Sequence, residues 1–239
     1  MGGYGFVGRH AVSALRNKSL SRLTVGTRSL FGQANRPDAL ALGLHTLTRP
    51  EDWTTIVSDF DVILNCVGIL RPVGASTYDR VHHLAPKAIA AACQGTNTRF
   101  IHVSALGLGE GDRSRFLTSK RKGEQAIAHS GSNWVLVRPS LLEGEGGFGA
   151  SWLRGIAKLP LFASPMDARG QIAALTATDL GEALANLCTS DWTDFDCDQS
   201  RIFEFGGTET YSFNDYIHGL RKRHSNRKQL AVPIPSLMA

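Results

Sequence analysis

Gly2, Gly5 and Gly8 open the chain at the spacing G-x-x-G-x-x-G, and Val7, Ala11, Val12, Ala14 and Leu15 follow at helical intervals. A glycine turn that runs straight into a helix constrains what can surround it. The glycines allow a tight bend and close backbone approach, and the helix aims its first unpaired N–H groups at whatever lies in front. This is the layout that receives a dinucleotide pyrophosphate, with Gly2, Gly5, Phe6, Val7 and Gly8 facing it. The spacing alone also describes an ordinary flexible turn, so the rest of the chain has to decide. A strand normally feeds such a turn, and here only Met1 precedes it.

Strand-like and helix-like segments then alternate. Leu23-Thr24-Val25-Gly26-Thr27 reads as a strand, and Asp61–Val67 as a buried one ending in Gly68. Residues 76–94 place Val81, Leu84, Ala85, Ala88, Ile89 and Ala92 on one helical face, which Pro86 breaks or kinks. Arg99–Ser104 is the next strand, Ser114–Ser130 a helix, and Trp134–Arg138 a strand closed by Pro139. The repeat implies right-handed crossovers and a parallel sheet covered on both faces. The fold class is therefore α/β, a Rossmann-like doubly wound sheet lacking its first strand. After Pro139 the character changes. Residues 143–149 are glycine-rich, 148–158 can form a short helix, and Thr178-Asp179 can cap a helix to about Cys188. Ile202–Phe205 reads as a strand, and Ser212-Phe213-Asn214-Asp215 as a capping box. Residues 1–140 make the dinucleotide-binding core, and residues 141–239 a small substrate lobe interleaved with the last core elements.

A chain of 239 residues suits one such domain with a lobe. Its net charge is +5 and its pI near 9.2. The basic residues cluster at Arg113, Arg115, Lys120, Arg121 and Lys122, and at Arg221-Lys222-Arg223-His224 with Arg227 and Lys228. The tail cluster has no interleaved aromatics and follows an amphipathic helix, so a solvated helix end fits better than a nucleic-acid surface, and no nucleic-acid partner is expected. Anionic lipid is the other partner such a tail could meet. Cys66, Cys93, Cys188 and Cys197 form no C-x-x-C, and read as free thiols of a reducing compartment. The expected location is cytoplasmic, with attachment at the inner-membrane periphery as the alternative. Adjacent His82 and His83 point apart on a helix, so no metal is expected.

Ligands of a doubly wound sheet meet its carboxyl edge. Arg28 follows the second strand, where an acid would favour NAD. A guanidinium there can pair with the 2′-phosphate of NADP, or simply be solvated. Cys66, Val67 and Gly68 would lie against the ribose, and Pro139 ends a later strand. Ser104 can donate to a reacting carbonyl, or spend its hydroxyl on its own turn.

The ordered set Gly2–His10, Asn65–Leu70, Val81-His82, His102–Gly107, Ser119-Lys120 with Gly123-Glu124, Val137–Ser140 and Phe205–Gly207 resembles the extended and atypical short-chain dehydrogenase/reductase superfamily. The branch it looks most like is that of the NAD(P)-binding subunits of respiratory complex I (NDUFA9-like) and their bacterial relatives. The resemblance implies NADP or NAD as cofactor, Ser104 and Lys120 as catalytic residues, and Lys120 as a ligand of the nicotinamide ribose. The superfamily pairs that lysine with a tyrosine in Tyr-x-x-x-Lys, and the tyrosine falls on Phe116. Phenylalanine has no exchangeable proton. Thr118 and Ser119 lie off the lysine's helical face. A carboxylate that would read adenine is also missing from Leu44–Thr48. Three readings follow. The first is an NADP(H)-holding homologue without ordinary reductase chemistry, serving as sensor, scaffold or assembly subunit. The second is a working oxidoreductase or nucleotide-sugar epimerase/dehydratase-like enzyme with another proton donor and an unknown small-molecule substrate. The third is a peripheral protein of a respiratory complex or membrane surface.

Strand 1 is central in the doubly wound order, and losing it would remove several large side chains worth roughly 1.5–3 kcal/mol each. The expectation is that a short Val/Ile/Leu-rich strand precedes Met1 in the natural protein. A version extended by that strand should melt at higher temperature and bind NADP more tightly. Equal melting and equal affinity of the 239-residue chain would refute the expectation.

Overall fold

A computed structural model describes residues 1–29, 37–109, 114–166, 170–192, 201–223 and 230–234. Arg113, Cys197, His224, Arg227 and Lys228 lie outside the described residues.

Helix α1 (Phe6–Arg16) buries Gly8, Ala11, Ala14 and Leu15, the single face its apolar spacing dictates. Strands β1 (Val25–Thr27) and β2 (Ala39–Ala41) pair in parallel. Helix α2 (Thr54–Ser58) leads to β3 (Val62–Asn65), and α3 (Ala85–Cys93) to β4 (Arg99–Val103). Helix α4 (Arg115–Ala128) and β5 (Asn133–Pro139) follow. Strands β3, β4 and β5 run parallel, with Val62 opposite Arg99 and Phe100 opposite Trp134. Pro86 has no N–H to give the His82 carbonyl four residues back, and the turn ahead of α3 widens into a π-helix over Asp79–Leu84. The expected kink is thus a change of helical register.

Short strands β6 (Leu142–Glu143), β8 (Gln171–Ile172) and β9 (Leu175–Thr176) surround α5 (Phe148–Lys158) and β7 (Leu161–Pro165). Helix α6 (Ala177–Thr189) and β10 (Ile202–Phe205) come next, then β11 (Tyr211–Ser212), α7 (Phe213–Lys222) and β12 (Leu230–Ile234). Because α6 starts at Ala177, Thr178 and Asp179 sit inside its first turn and do not cap it. Of the box expected at α7 the N-cap half forms: the Ser212 hydroxyl accepts from the Asp215 N–H at 3.1 Å, while the Asp215 carboxylate accepts from that hydroxyl at 2.6 Å and not from the Ser212 N–H.

The chain divides into two compact units, Met1–Pro139 with Thr178–Glu204, and Ser140–Ala177 with Phe205–Ala239. In the first, the sheet order is β10-β5-β4-β3, and β1-β2 stand as a separate pair. One face carries Ile63, Ile89, Phe100, Ile127, Trp134 and Leu136, packed with Trp53. Ala14 and Leu15 of α1 pack with Ala185 of α6 against Leu64. Met1 joins the two strand groups. Its ammonium donates to the Leu64 carbonyl, the Cys66 N–H donates to the Met1 carbonyl at 3.1 Å, and the Gly2 N–H donates to the Gly26 carbonyl at 2.9 Å. One residue therefore stands where the doubly wound order puts strand 1. Beside it a cavity of about 530 Å³ is walled by Ala11, Leu15, Val25, Val62 and Leu64, among others. Burial of the Met1 ammonium lowers its pKa.

In the second unit, Leu153 and Ala157 of α5 pack on Tyr216, Ile217 and Leu220 of α7 and on Phe162 of β7. The buried Arg221 guanidinium donates to the carbonyls of Ala157, Lys158 and Leu159 at 3.2, 2.6 and 3.2 Å, satisfying the end of α5.

Candidate functional site

The glycine turn is a close-packed object. Gly2 has φ 71°, and the Gly5 N–H donates to the Gly2 carbonyl at 2.9 Å. A Cβ on Gly8 would lie 2.1 Å from that same carbonyl, so only glycine fits where the helix crosses the turn. Gly5 is the N-cap of α1, with no side chain capping it and no acid in the first turn. The first amides, from Phe6, Val7 and Gly8, are thus left to an anion in front of the helix, and the helix dipole favours one. Both Gly2 and Gly3 donate to the Gly26 carbonyl of β1, at 2.9 and 3.3 Å. Arg28 follows at the carboxyl end of β1 and is exposed.

The loop after β3 lies on the same turn. A Cβ on Gly2 would meet Val67 Cγ2 at 2.9 Å and the Cys66 carbonyl carbon at 3.3 Å. A Cβ on Gly68 would meet both His82 Nε2 and Lys120 Nζ at 3.9 Å. Cys66, Val67 and Gly68 therefore bridge the glycine turn to Lys120. Burial pushes the Cys66 thiol up to about 11, so it is neutral. Cys66, Cys93 and Cys188 are free thiols.

Lys120 is 7% exposed. This corrects the alternative of a surface lysine in a basic run: the residue faces inward on α4, while Arg121 and Lys122 complete the run. Its one carboxylate neighbour on the helix, Glu124, is held by Arg138 at 2.7 Å. Burial lowers the Lys120 ammonium to about 8, with Glu124 opposing. Phe116, one turn earlier, lies with its ring centroid 5.7 Å from Lys120 Nζ. Its ring meets His82 edge-on at 5.3 Å and Tyr78 at 6.0 Å. The Ser119 hydroxyl donates to the Phe116 carbonyl at 2.7 Å and lies 2.9 Å from His82 Nδ1. It is committed to that network.

Two histidines complete the cluster, and neither was assigned a role from the sequence. The Ile69 N–H donates to His82 Nε2 at 3.0 Å, which leaves the proton on Nδ1 for Ser119. The Val67 N–H donates to Asn65 Oδ1 at 3.0 Å, so the Asn65 amide nitrogen faces His102 Nδ1, also at 3.0 Å. That fixes the His102 proton on Nε2. Burial, then the Lys120 charge, lowers His82 to about 3, and lowers His102 well below the usual range. His102 and Ser104 share one face of the β4 strand by their two-residue spacing. His102 Nε2 and Ser104 Oγ are both buried without a hydrogen-bond partner among the described residues. The Ser104 hydroxyl is therefore not spent on its own turn. Pro139 ends β5, and its carbonyl accepts from the Leu106 N–H at 3.0 Å. The only sequence signal for the histidines was periodic: His102 precedes Ser104 by two on a strand that is otherwise apolar after Arg99, and His82 is polar on the buried face of its helix.

Among the described residues no group of three or more His, Cys, Asp or Glu could hold a metal. The arrangement suits a dinucleotide: an uncapped helix start for the pyrophosphate, a glycine-lined edge for the ribose, and a buried cation beyond it.

Residues 2–180 match the family model described as NAD(P)H-binding. Ceramide reductase from Caulobacter vibrioides is 27% identical over 145 residues, covering 61% of this chain and 46% of that protein. The mitochondrial NADH dehydrogenase (ubiquinone) 1 alpha subcomplex subunit 9 of Arabidopsis thaliana is 25% identical over 256 residues, covering 100% of this chain and 61% of that protein. The chain spans about half the length of the curated relatives it matches. The crystal structure of dTDP-4-dehydrorhamnose reductase from Bacillus anthracis in complex with NADP superposes with a TM-score of 0.65 at 15% identity, covering 98% of this chain and 82% of that one. This likeness confirms the Rossmann-like fold.

A buried neutral histidine makes stability pH-dependent. With His82 near 3 when folded and at 6.5 when unfolded, the unfolded chain binds the extra proton between those values. Stability should therefore fall as pH drops from about 6.5 toward 3. His102 adds to the slope in the same direction. Urea unfolding across this window should show a shallower loss for His82→Gln than for the parent protein; equal slopes would refute the assignment.

Proposed function

The chain belongs to the NAD(P)H-binding family, and from that premise we propose that it holds NADP(H) in preference to NAD(H) and lacks the tyrosine-based proton transfer of short-chain dehydrogenases. The missing proton transfer is carried by Phe116 standing one turn before the buried Lys120, its ring centroid 5.7 Å from the ammonium, and the NADP preference by exposed Arg28 at the carboxyl end of β1. Bound NADPH would supply a hydride. The chain's own residues would do the rest: the α1 amides bind the pyrophosphate, Arg28 pairs with the 2′-phosphate, and Lys120 holds the ribose hydroxyls beside Gly68. Ser104 offers a hydroxyl to an oxygen entering the edge. The Phe116 side chain can neither give nor take a proton there. We assign residues 141–239 as the substrate lobe, with Thr178–Glu204 returning to the core. The protein then serves as a sensor or scaffold on the cytoplasmic side, and its likeness to a complex I subunit supports association with a respiratory complex.

A second reading keeps catalysis. An ammonium lowered to about 8 is near the range in which a lysine exchanges protons at neutral pH. Ser104 and Lys120 would then serve a carbonyl substrate, as in an oxidoreductase or an epimerase-like enzyme. NADPH oxidation with carbonyl compounds that disappears in Lys120→Met would favour this reading.

Arg28→Ala should cost about 1–3 kcal/mol of NADP affinity by loss of charge-assisted bonds, and little for NAD. Calorimetric titration with both cofactors checks this; equal losses would overturn the NADP preference. Phe116→Tyr restores a hydroxyl one helical turn from Lys120. It should create carbonyl-dependent NADPH oxidation where the parent protein has none. Robust turnover in the parent, retained in Lys120→Ala, would overturn the assignment of both positions.

A further inference from the structure

The second unit carries an apolar surface that the dinucleotide reading does not use. Strands β7 and β12 pair in parallel as a two-stranded ribbon, Leu161 opposite Leu230 and Ala163 opposite Val232. Paired residues project to the same side. One side, with Phe162 at 3% and Ser164 at 7% exposure, packs on the core of the unit. The Ser164 hydroxyl donates to the Asn214 side chain at 2.7 Å, fixing the ribbon to α7. The other side is Leu161, Ala163, Leu230, Val232 and Ile234, all exposed; Leu161 is at 55% and Leu230 at 65%. Among the described residues nothing covers it. A continuous aliphatic face of this kind marks a contact.

The charges around it say with what. Arg221 binds the last carbonyls of α5, and the Leu230 N–H donates to the Pro160 carbonyl at 3.0 Å. The C-terminal ends of α5 and α7 therefore meet where both ribbon strands begin. Lys158, Lys222 and Arg223 are exposed at that end. Arg223 has Glu143 within 3.7 Å, whereas Lys158 and Lys222 are in no ion pair among the described residues. Asp215 lies in the first turn of α7, at the opposite end. A second copy docked face to face by a two-fold axis running along the strands would set these cations against their own equivalents. The face also lacks the Trp, Tyr or Arg anchors that dominate protein interfaces. Aliphatic side chains with a cationic collar match the boundary between acyl chains and anionic headgroups.

We propose that the exposed face of the β7/β12 ribbon, with Lys158 and Lys222 beside it, seats the protein on an anionic lipid bilayer. This does not depend on cofactor binding, so its failure and that of the NADP(H) reading are separate results. The test is co-sedimentation of the full chain with vesicles of phosphatidylcholine, with and without phosphatidylglycerol. The protein should bind the anionic vesicles at low salt and release from them at high salt. Lys158→Glu with Lys222→Glu should weaken that binding about tenfold or more, and Leu161→Asn with Val232→Asn should weaken it while leaving the melting temperature unchanged. Absence of binding at low salt overturns the proposal, as does binding that neither double variant alters. So does a dimer in sedimentation velocity that Leu161→Asn with Val232→Asn disperses, which would assign the face to a second copy.

Discussion

Two backbone amides in the loop after β3 are held by side chains, and the site takes its form from those bonds. The Val67 N–H is fixed by Asn65 and the Ile69 N–H by His82, each at 3.0 Å. The loop between them has the glycine turn on one side and Lys120 on the other. Each bond also passes a constraint onward. Asn65, once oriented, sets the tautomer of His102; His82, once accepting, can only donate to Ser119. A neutral histidine in a low-dielectric site presents one fixed donor and one fixed acceptor. The surroundings of Lys120 are thereby made polar without adding charge.

The lack of added charge is why the lysine is perturbed. A buried ammonium is normally balanced by a carboxylate, and Glu124 is at the right spacing on the same helix. Arg138 takes Glu124 instead, donating from Nε and Nη2 to both of its carboxylate oxygens, and also reaches Glu204 of β10 at 3.2 Å. That cluster ties α4, β5 and β10 together and leaves Lys120 to burial. At position 116 an aromatic ring offers the ammonium a π-face, where a hydroxyl would offer a hydrogen bond.

The framework was legible in the sequence because it rests on periodicity. Alternation of buried strands and one-faced helices placed β3, β4, β5, α4 and α5 within a residue or two, and the glycine spacing placed the turn. What was not legible depends on contacts between distant segments. The burial of Lys120 could not be separated from its neighbours Arg121 and Lys122, because three consecutive cations carry no sign of which one faces inward. His82 and His102 are defined by partners 13 and 37 residues away. The β7/β12 ribbon joins strands about seventy residues apart in a region without alternation strong enough to announce either.

The two units also differ in what their apolar residues do. In the first, large side chains such as Trp53, Phe100, Ile101 and Trp134 are fully enclosed. In the second, the ribbon buries Phe162 and leaves its other side aliphatic and bare. A two-stranded ribbon cannot bury both faces without another layer, so one face is necessarily presented outward. Polar residues would keep such a face idle in water. Leu, Val and Ile there, on a chain with a net charge of +5, leave an aliphatic surface that water alone does not stabilise. The first unit encloses its large apolar side chains beneath the dinucleotide edge, and the second leaves part of its aliphatic surface open.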